Sequence, residues 1–394
     1  MNYDRFLNPE IVAVPPSGIR RFFDLAATMK DAISLGVGEP DFVTPYYIRN
    51  AAINSIVDGE TQYTPTRGML PLRQEICRYL DERFGLNYDP ETDVVVTVGA
   101  SESIDIALRA IVSRGDEVLV PEPSYVSYSP SVIFAGGVPV GVETLEKDEF
   151  RLTPEAVLKA ITPRTKALIL PYPNNPTGGV MGREDLEKLA KIVAEKEIMV
   201  ISDEIYAELT YGGNTHVSFG TLPGMMPYTL TINGFSKAFA MTGWRVGYVC
   251  GPKEVISVIN KIHQYSIMCA PRQGQVAALA ALKEGRERGY EDVIRMRESY
   301  DRRRRLMVEG FRSMGLDCFE PLGAFYVFPS IRKTGLTSED FCERLLQSKR
   351  VAAVPGTAFG ASGEGNIRCS YATAIDKLNQ ALDKMGEFLK EIGC

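Results

Sequence analysis

The sequence predicts an α/β fold in which a mostly parallel sheet of seven strands lies between helices, together with a smaller α+β domain. Through the middle of the chain, short apolar runs alternate with helical segments, and several of these runs are apolar on both faces. That pattern is typical of strands in a parallel sheet covered by helices on both sides. The 394 residues are also too many for one small core, which favours two domains.

Seven apolar runs are the predicted strands of the sheet. They are Val94–Val98, Glu117–Val120, Val138–Val142, Ala167–Leu170, Ile198–Ser202, Tyr228–Ile232 and Val246–Cys250. Between them lie stretches with helical character, such as Ser103–Ser113 and Arg183–Glu195. The order of these segments predicts strands that are joined through helices.

The pattern changes after about residue 285. A long charged helix is predicted from about Tyr290 to Met314, followed by a strand at Ala324–Phe328 and a helix from Ser338 to Gln347. A further strand at Ile367–Ser370 precedes a closing helix. These elements predict the smaller α+β domain.

The predicted domain boundaries follow from this change. Residues 45–285 form the large domain, and residues 1–44 and 286–394 together form the small one. The basic run Arg302–Arg305 falls inside the long predicted helix, where we expect it to be a solvated helix face.

Composition excludes several classes of protein. Lys and Arg total 44 against 50 Asp and Glu, a net charge of −6, so the chain lacks the basic footprint of a nucleic-acid-binding protein. No secretory signal or membrane span is evident, and a cytoplasmic location is expected. Its cysteines are scattered and odd in number, which disfavours a disulfide framework or a zinc site. They are Cys77, Cys250, Cys269, Cys318, Cys342, Cys369 and Cys394.

The first segment with chemical potential follows the predicted strand Val94–Val98. Gly99-Ala100-Ser101-Glu102-Ser103 leads from the strand through small residues into a helix. Free backbone N–H groups at a helix start, with serine hydroxyls, can bind a phosphate. A simple N-cap at Ser101 or Ser103 explains the same residues equally well.

Two further segments follow buried strands. In the first, proline and glycine in Pro171–Gly179 predict a stiff loop that would hold Asn175 at a fixed geometry, although an Asn-Pro turn is the alternative. In the second, Asp203 ends a strand, where a buried acid needs a cationic partner such as a pyridinium nitrogen. A helix N-cap is the alternative for Asp203.

The fourth segment carries a lysine just past a buried strand. Small and apolar residues flank Lys237 in the sequence. In such surroundings, desolvation and a neighbouring cation would lower the pKa of its amine. A neutral amine of this kind forms imines and accepts protons. Arg245 follows, with a guanidinium suited to binding a phosphate dianion.

These segments, with others along nearly the whole chain, match a known family. The chain resembles class I aminotransferases of pyridoxal-5′-phosphate (PLP) fold type I, particularly the bacterial branch around aspartate aminotransferase. No single segment is decisive, but their order and spacing together are highly specific. The matching segments are Leu35–Phe42, Tyr63–Pro65, Pro123–Tyr125, Asn175–Gly178, Ser202–Tyr206, Ser236–Lys237, Trp244–Gly247, Gly323–Tyr326 and Ile367–Arg368.

The resemblance implies a role for each matching residue. Lys237 carries PLP as a Schiff base and then moves the proton between substrate and cofactor, and Asp203 pairs with the pyridine nitrogen. Asn175 and Tyr206 bind the ring's 3′-oxygen, and Tyr125 stacks on the ring face. The phosphate is held by Ala100, Ser101, Ser236 and Arg245.

The substrate side of the site is implied in the same way. Arg368 binds the substrate α-carboxylate bidentately, with Gly38 and Asn175 also on the substrate side. Tyr63 reaches the phosphate in the neighbouring subunit, so each site requires a homodimer. One departure is Gly234, where many relatives carry serine, and this predicts one phosphate hydroxyl fewer. The other is Arg272, either a cation for a second substrate carboxylate or a surface arginine.

The implied activity is reversible transfer of an amino group from an L-amino acid, aspartate or similar, to a 2-oxo acid such as 2-oxoglutarate. The alternative on the same scaffold is a PLP-dependent C–S β-lyase, since the lysine and aspartate would be identical. A PLP-binding regulator is a third hypothesis, disfavoured by the lack of a basic patch. With only His216 and His263 in the chain, a histidine-based triad or metal centre is also disfavoured.

Overall fold

A seven-stranded sheet forms the centre of the molecule in a computed structural model, which describes residues 1, 3–16, 18–19, 29 and 31–394. Its strand order is β2-β8-β7-β6-β5-β3-β4, and only β8 runs antiparallel to its neighbours. The predicted α/β class and mostly parallel sheet are therefore confirmed. The strands are β2 (Val94–Thr97), β3 (Glu117–Glu122), β4 (Val138–Glu143), β5 (Thr165–Leu170), β6 (Met199–Asp203), β7 (Thr229–Gly234) and β8 (Gly247–Cys250).

Helices cover this sheet and join its strands. The residues at their ends favour starting or stopping a helix. The helix Leu70–Phe84, for example, has a proline in its first turn and is followed by Gly85, which adopts the left-handed conformation with φ 72°. The helices up to residue 287 are α1 (Pro9–Val12), α2 (Tyr46–Val57), α3 (Leu70–Phe84), α4 (Ala100–Ile111), α5 (Tyr128–Phe134), α6 (Pro154–Ala160), α7 (Arg183–Lys196), α8 (Lys253–Ser266) and α9 (Arg272–Glu287).

The C-terminal part contains short strands and three longer helices. Strand β12 pairs antiparallel with both β9 and β11, and β10 pairs in parallel with β1 from the N-terminal part. The predicted division into domains at residues 44 and 285 stays a prediction. The elements are β1 (Ile33–Ser34), β9 (Tyr326–Val327), β10 (Val351–Ala352), β11 (Val354–Pro355), β12 (Ile367–Ser370), α10 (Glu291–Ser313), α11 (Ser338–Lys349) and α12 (Ile375–Glu391).

The prediction of a solvated face for the basic run on α10 is wrong for its two central residues. Arg304 is only 3% exposed and forms ion pairs with Asp301 at 2.9 Å and with Glu320 at 2.7 Å. Arg303 reaches Asp41 at 2.8 Å. A buried guanidinium needs such partners. Asp41 lies far from the run in sequence, and Glu320 lies beyond the end of α10.

The carboxyl ends of β5, β6 and β7 meet at one edge of the sheet, as they must in neighbouring parallel strands. Asp203 is the last residue of β6, and the loops that follow β5 and β7 carry Asn175 and Lys237. The fold therefore brings together three side chains that lie far apart in sequence. None of the helices in the described ranges combines the length and apolar character that a bilayer-spanning segment needs.

Candidate active site

A cavity of about 1360 Å³ opens at this edge of the sheet. Eleven of the twelve residues predicted for the site line it, and Tyr63 does not. Those that do are Gly38, Ala100, Ser101, Tyr125, Asn175, Asp203, Tyr206, Ser236, Lys237, Arg245 and Arg368.

The Lys237 amine lies within this cavity. Its Nζ donates a hydrogen bond to the carbonyl oxygen of Gly38 at 2.6 Å and lies 5.8 Å from the ring centre of Tyr206. Burial lowers the pKa of Lys237 to about 8, Arg368 and Arg245 act in the same direction, and Glu39 opposes them. The ammonium form is disfavoured where its charge is poorly solvated, so a neutral amine is accessible near neutral pH.

Asp203 is a buried carboxylate at the end of β6. Tyr128 donates a hydrogen bond to its Oδ2 at 2.8 Å, and the backbone N–H of Ile205 donates to its Oδ1 at 3.2 Å. The chain continues into a turn rather than a helix, so Asp203 is not a helix N-cap. Burial raises the pKa of Asp203 to about 6, and no lysine, arginine or histidine of the described residues forms an ion pair with it. A buried acid in this state is suited to a cationic ligand.

Arg368 is a buried cation on β12. Its Nη1 donates to Oδ1 of Asn175 at 2.9 Å, and its Nη2 donates to the carbonyl of Gly36. Its guanidinium carbon lies 4.5 and 4.8 Å from the ring centres of Tyr326 and Phe359. Its Nε has no hydrogen-bond partner among the described residues. Such a guanidinium, restrained and without an anionic partner, is suited to binding a carboxylate.

The turn before α4 has the geometry of a phosphate cradle. Gly99 has φ 82°, and a Cβ added there would lie 2.6 Å from Nη2 of Arg245. Ser101 is exposed to the cavity, whereas Ser103 is buried and bonds Thr97 at 2.7 Å. Neither serine caps the helix. Glycine therefore lets the guanidinium approach the backbone at the start of α4, where the first N–H groups have no partner within the helix.

Asn175 and Tyr206 border the same space. Because Oδ1 of Asn175 accepts from Arg368, its Nδ2 remains a donor for another oxygen. The hydroxyl of Tyr206 lies 2.8 Å from that of Tyr326. The ring of Tyr125 lies in the cavity lining and makes an edge contact with Tyr128 at 5.6 Å.

Tyr63 and Arg272 lie outside the cavity. Tyr63 is 79% exposed. Arg272 forms an ion pair with Glu60 at 2.8 Å and does not line the cavity. Within one chain, therefore, Arg272 is committed to a carboxylate of the protein itself.

A model of the family described as "Aminotransferase class I and II" matches residues 30–385. This chain belongs to that family.

Individual relatives of this aminotransferase cover nearly its full length. The aspartate aminotransferase of Pyrococcus abyssi is 47% identical over 96% of this chain and 97% of its own. The aromatic-amino-acid aminotransferase 2 of Thermococcus litoralis is 44% identical over 98% of both chains. The structure of aspartate aminotransferase from Thermus thermophilus with maleate matches with a TM-score of 0.92 at 41% identity, covering 97% of this chain and 99% of that one.

These findings establish the class of enzyme and its cofactor. The protein is a PLP-dependent aminotransferase of fold type I, as the resemblance predicted. It acts on amino acids and 2-oxo acids. These relatives give no support to the C–S lyase or to a regulator without enzymatic activity.

The side chains of the aminotransferase site fit PLP. The buried acid Asp203 forms no ion pair with a described residue, although Lys237 favours its ionised form, and a pyridinium nitrogen would supply a direct cationic partner. The cradle at Gly99 with Arg245 suits a phosphate dianion, and Lys237 suits an aldehyde carbon. Gly234 is also explained, since a Cβ there would lie 2.9 Å from the Cα of Gly247.

Sequence reasoning missed several residues that support these side chains. Tyr128 bonds Asp203, and Phe359 packs on Arg368. The spacing Tyr125-x-x-Tyr128, with Tyr125 just before α5 and Tyr128 as its first residue, is the one signal that could have indicated Tyr128. Trp244 is a further neighbour: its indole N–H donates to Oγ1 of Thr44 at 3.0 Å, next to Arg245.

Proposed function

We propose that this enzyme transfers the amino group of aspartate, or of a similar L-amino acid, to 2-oxoglutarate, with Lys237 as the residue bonded to PLP. Two observations on relatives support aspartate. The Pyrococcus abyssi relative is named an aspartate aminotransferase, and the Thermus thermophilus one was solved with maleate, a four-carbon dicarboxylate. The aromatic name of the Thermococcus litoralis relative makes aromatic amino acids the second candidate donors.

The observation that carries the proposal is the position of Arg368. It is buried in the same cavity as Lys237, has no anionic partner among the described residues, and its Nε is unpaired. A substrate α-carboxylate bound there would hold the Cα–H bond close to the amine of Lys237. Holding the reacting groups in this geometry converts proton transfer into a step within one complex.

The remaining roles follow from the contacts. PLP, when bound, supplies the electron sink that stabilises a carbanion at the substrate Cα. Asp203 would hold the pyridine nitrogen protonated, and Asn175 and Tyr206 would bind the 3′-oxygen. Lys237 would accept the proton from the substrate Cα and deliver it on the cofactor side, because its pKa of about 8 leaves the amine partly neutral near pH 7.

The phosphate and the ring face have their own proposed partners. Ala100, Ser101, Ser236 and Arg245 line one region of the cavity and would hold the phosphate. Tyr125 would stack on the ring. Gly38 would contribute a backbone group beside the substrate carboxylate.

We also propose that the enzyme is a homodimer in which Tyr63 completes the partner's site. Large apolar side chains are exposed near Tyr63, which is typical of an interface. Arg272 and Gln273, the first two residues of α9, both bond Glu60, so the start of α9 lies beside the segment that carries Tyr63. The exposed apolar residues of the two segments are Val43, Tyr46, Ile53, Ile56, Val57, Tyr63, Tyr265, Ile267 and Met268.

Two predictions from the sequence, on the domain boundaries and on the cellular location, remain proposals. The division into a large domain, residues 45–285, and a small domain, residues 1–44 with 286–394, is supported by the separate central and C-terminal sheets. A cytoplasmic location is supported by the seven cysteines, all of which are free.

The experiment that tests the function follows one half of the reaction. PLP-loaded protein is mixed with aspartate, phenylalanine or cystathionine in turn, without an oxo acid, and its absorbance spectrum is recorded. We expect aspartate to convert the visible band of bound PLP into that of the aminated cofactor, and 2-oxoglutarate to restore it. Recovery of the band without an oxo acid, with release of pyruvate and ammonia, would contradict transamination.

A second arm tests Lys237. Borohydride should fix the cofactor to the wild-type chain and not to Lys237→Ala, as peptide mass spectrometry would show. A cofactor fixed equally well in the variant would show that another lysine carries PLP. Conversion by phenylalanine alone would replace aspartate with an aromatic donor.

A further inference from the structure

Two ionisable side chains behind the phosphate cradle have no part in the proposed chemistry. Glu102 lies in the first turn of α4, and His263 is a completely buried residue of α8, the helix that packs against α4. Nδ1 of His263 lies 2.6 Å from Oε1 of Glu102. Because an ionised carboxylate only accepts hydrogen bonds, Nδ1 of His263 carries the hydrogen.

The other oxygen of Glu102 is also committed. Its Oε2 accepts the backbone N–H of Val98, one residue before Gly99. Both carboxylate oxygens are therefore bound on the side of the turn away from the cavity, and Ser101 lines the cavity whereas Glu102 does not. Nε2 of His263 has no partner among the described residues. Within that part of the chain, the hydrogen bond from Nδ1 to Glu102 is therefore the one that the imidazole ring makes.

Glu102 occupies a position where an anion can compete with phosphate. The first turn of α4 presents unpaired N–H groups and the positive end of the helix dipole, which attract any nearby negative charge. A carboxylate in that turn, if released, could bind these N–H groups itself and would repel a phosphate dianion. The bonds to His263 and Val98 hold the carboxylate away from these N–H groups and keep its charge on the far side of the turn from the phosphate.

We propose that His263 and Glu102 are positioning residues for the phosphate of PLP. His263 restrains the Glu102 carboxylate, so that the N–H groups at the start of α4 remain available to the ligand. The inference rests on the proposed placement of the phosphate at Gly99–Ser101 beside Arg245.

The test compares the affinity of the cofactor-free full chain for PLP with its affinity for pyridoxal, which lacks the phosphate. We expect His263→Leu to weaken PLP binding about tenfold, the usual effect of losing a hydrogen bond to a charged group, and to leave pyridoxal binding unchanged. His263→Gln, whose amide takes the place of Nε2 rather than Nδ1, should act in the same way. His263→Asn keeps a donor near the position of Nδ1 and should retain most of the affinity.

A double variant separates this role from simple packing. Glu102→Gln carries no charge but can still accept from Val98, so combining it with His263→Leu should restore PLP affinity to within about twofold of Glu102→Gln alone. If the double variant binds PLP as weakly as His263→Leu, or if pyridoxal binding falls equally, His263 acts through packing and the inference is wrong.

Arg245→Gln controls for the placement of the phosphate. It should weaken PLP binding relative to pyridoxal, because the guanidinium would contact the phosphate directly. If it does not, the proposed placement is wrong and the inference falls with it. A normal response of Arg245→Gln with a failed double variant would overturn the role of His263 and Glu102 alone.

Discussion

Lys237 is the residue on which the chemistry of this enzyme depends. The burial of its amine has a measurable consequence. Because burial lowers the pKa to about 8, the neutral amine becomes the major form at a lower pH than for an ordinary lysine, whose pKa is 10.5. In the cofactor-free protein we expect reductive labelling of Lys237 by a small aldehyde to rise with pH and to be half-maximal near pH 8.

Mass spectrometry of the labelled peptides checks this prediction within a single sample. Exposed lysines elsewhere in the chain serve as the internal reference, and their labelling should keep rising above about pH 9 because the pKa of an ordinary lysine is 10.5. Labelling of Lys237 that rises in parallel with theirs would contradict a lowered pKa.

Tyr128 is the clearest second target among single residues. Its hydroxyl stabilises the ionised form of Asp203, so Tyr128→Phe should raise the pKa of Asp203 further above its present value of about 6. Ionised Asp203 would then be lost at a higher pH. We expect kcat/KM to fall about tenfold near neutral pH and the acid limb of its pH profile to move upward.

Tyr88→Phe is the matched control for that variant. Tyr88 is equally buried and bonds Thr231 at 2.9 Å, without contacting Asp203. It should cost stability but leave the acid limb of the profile in place. An acid limb that moves in both variants, or in neither, would rule out the proposed role of Tyr128.

At the residue scale, the sequence indicated the groups with unusual chemistry and missed those that hold them. Lys237 and Asp203 were recognisable because ionisable groups directly after buried strands are rare and costly. Tyr128 and Phe359 belong to types that are ordinarily buried, so nothing in their own identity marks them. Their function depends on neighbours that are distant in sequence and are brought close only by the fold.

Among the elements, we expect α10 to position the loop at residues 36–42, which carries Gly38 of the proposed substrate side. Arg303 binds both oxygens of Asp41 at 2.8 and 2.9 Å, and two carbonyls of this loop accept from Lys237 and Arg368. We expect Arg303→Leu to raise KM for the amino donor about tenfold, because the loop would lose the two hydrogen bonds by which the Arg303 guanidinium ties Asp41 to α10.

Arg305→Leu is the control on the same helix. Arg305 is more exposed and contacts only Asp301, so its loss should change KM little. Steady-state kinetics with a fixed oxo acid would measure both variants. Equal KM values for Arg303→Leu and wild type would show that the loop holds its position without α10.

The strands were the most predictable elements and some helices the least. All seven strands of the sheet were placed within one or two residues, since buried parallel strands are continuous apolar runs. Of the longer helices up to residue 287, α4 and α7 were predicted individually, whereas α2, α3, α8 and α9 were not. In α2, Ile53, Ile56 and Val57 are exposed, so its apolar residues do not follow the single buried face on which helix prediction relies.

For the whole molecule, the exposed apolar residues of α2 predict that assembly and cofactor binding are coupled. Val57→Asp would place a charge in the proposed interface. We expect a monomer with PLP affinity lowered about tenfold or more, because Tyr63 of a partner could no longer complete the site. Analytical ultracentrifugation with a PLP titration measures both effects.

Ile375→Asp provides the comparison for this variant. Ile375 is also exposed but starts α12, where an acid is favourable, and it lies outside the proposed interface. It should leave assembly and PLP affinity unchanged. A Val57→Asp variant that remains dimeric would place the interface elsewhere.

Assembly is also where the limits of sequence reasoning are clearest. The fold class follows from local patterns repeated along the chain, whereas Tyr63 and Arg272 depend on what lies across a subunit boundary. Arg272 was left open between a substrate contact and the surface, and the structure pairs it with Glu60 within the same chain. A sequence alone does not reveal which charged group will neutralise such an arginine.

The position of Trp244 gives this enzyme a natural optical reporter. It is the only tryptophan of the chain, and it lies one residue before the arginine proposed to hold the cofactor's phosphate. Its ultraviolet emission therefore comes from a single place, beside the site, and overlaps the absorption of bound PLP. Cofactor loading can thus be followed as quenching of intrinsic fluorescence, without an attached dye and at protein concentrations too low for absorbance.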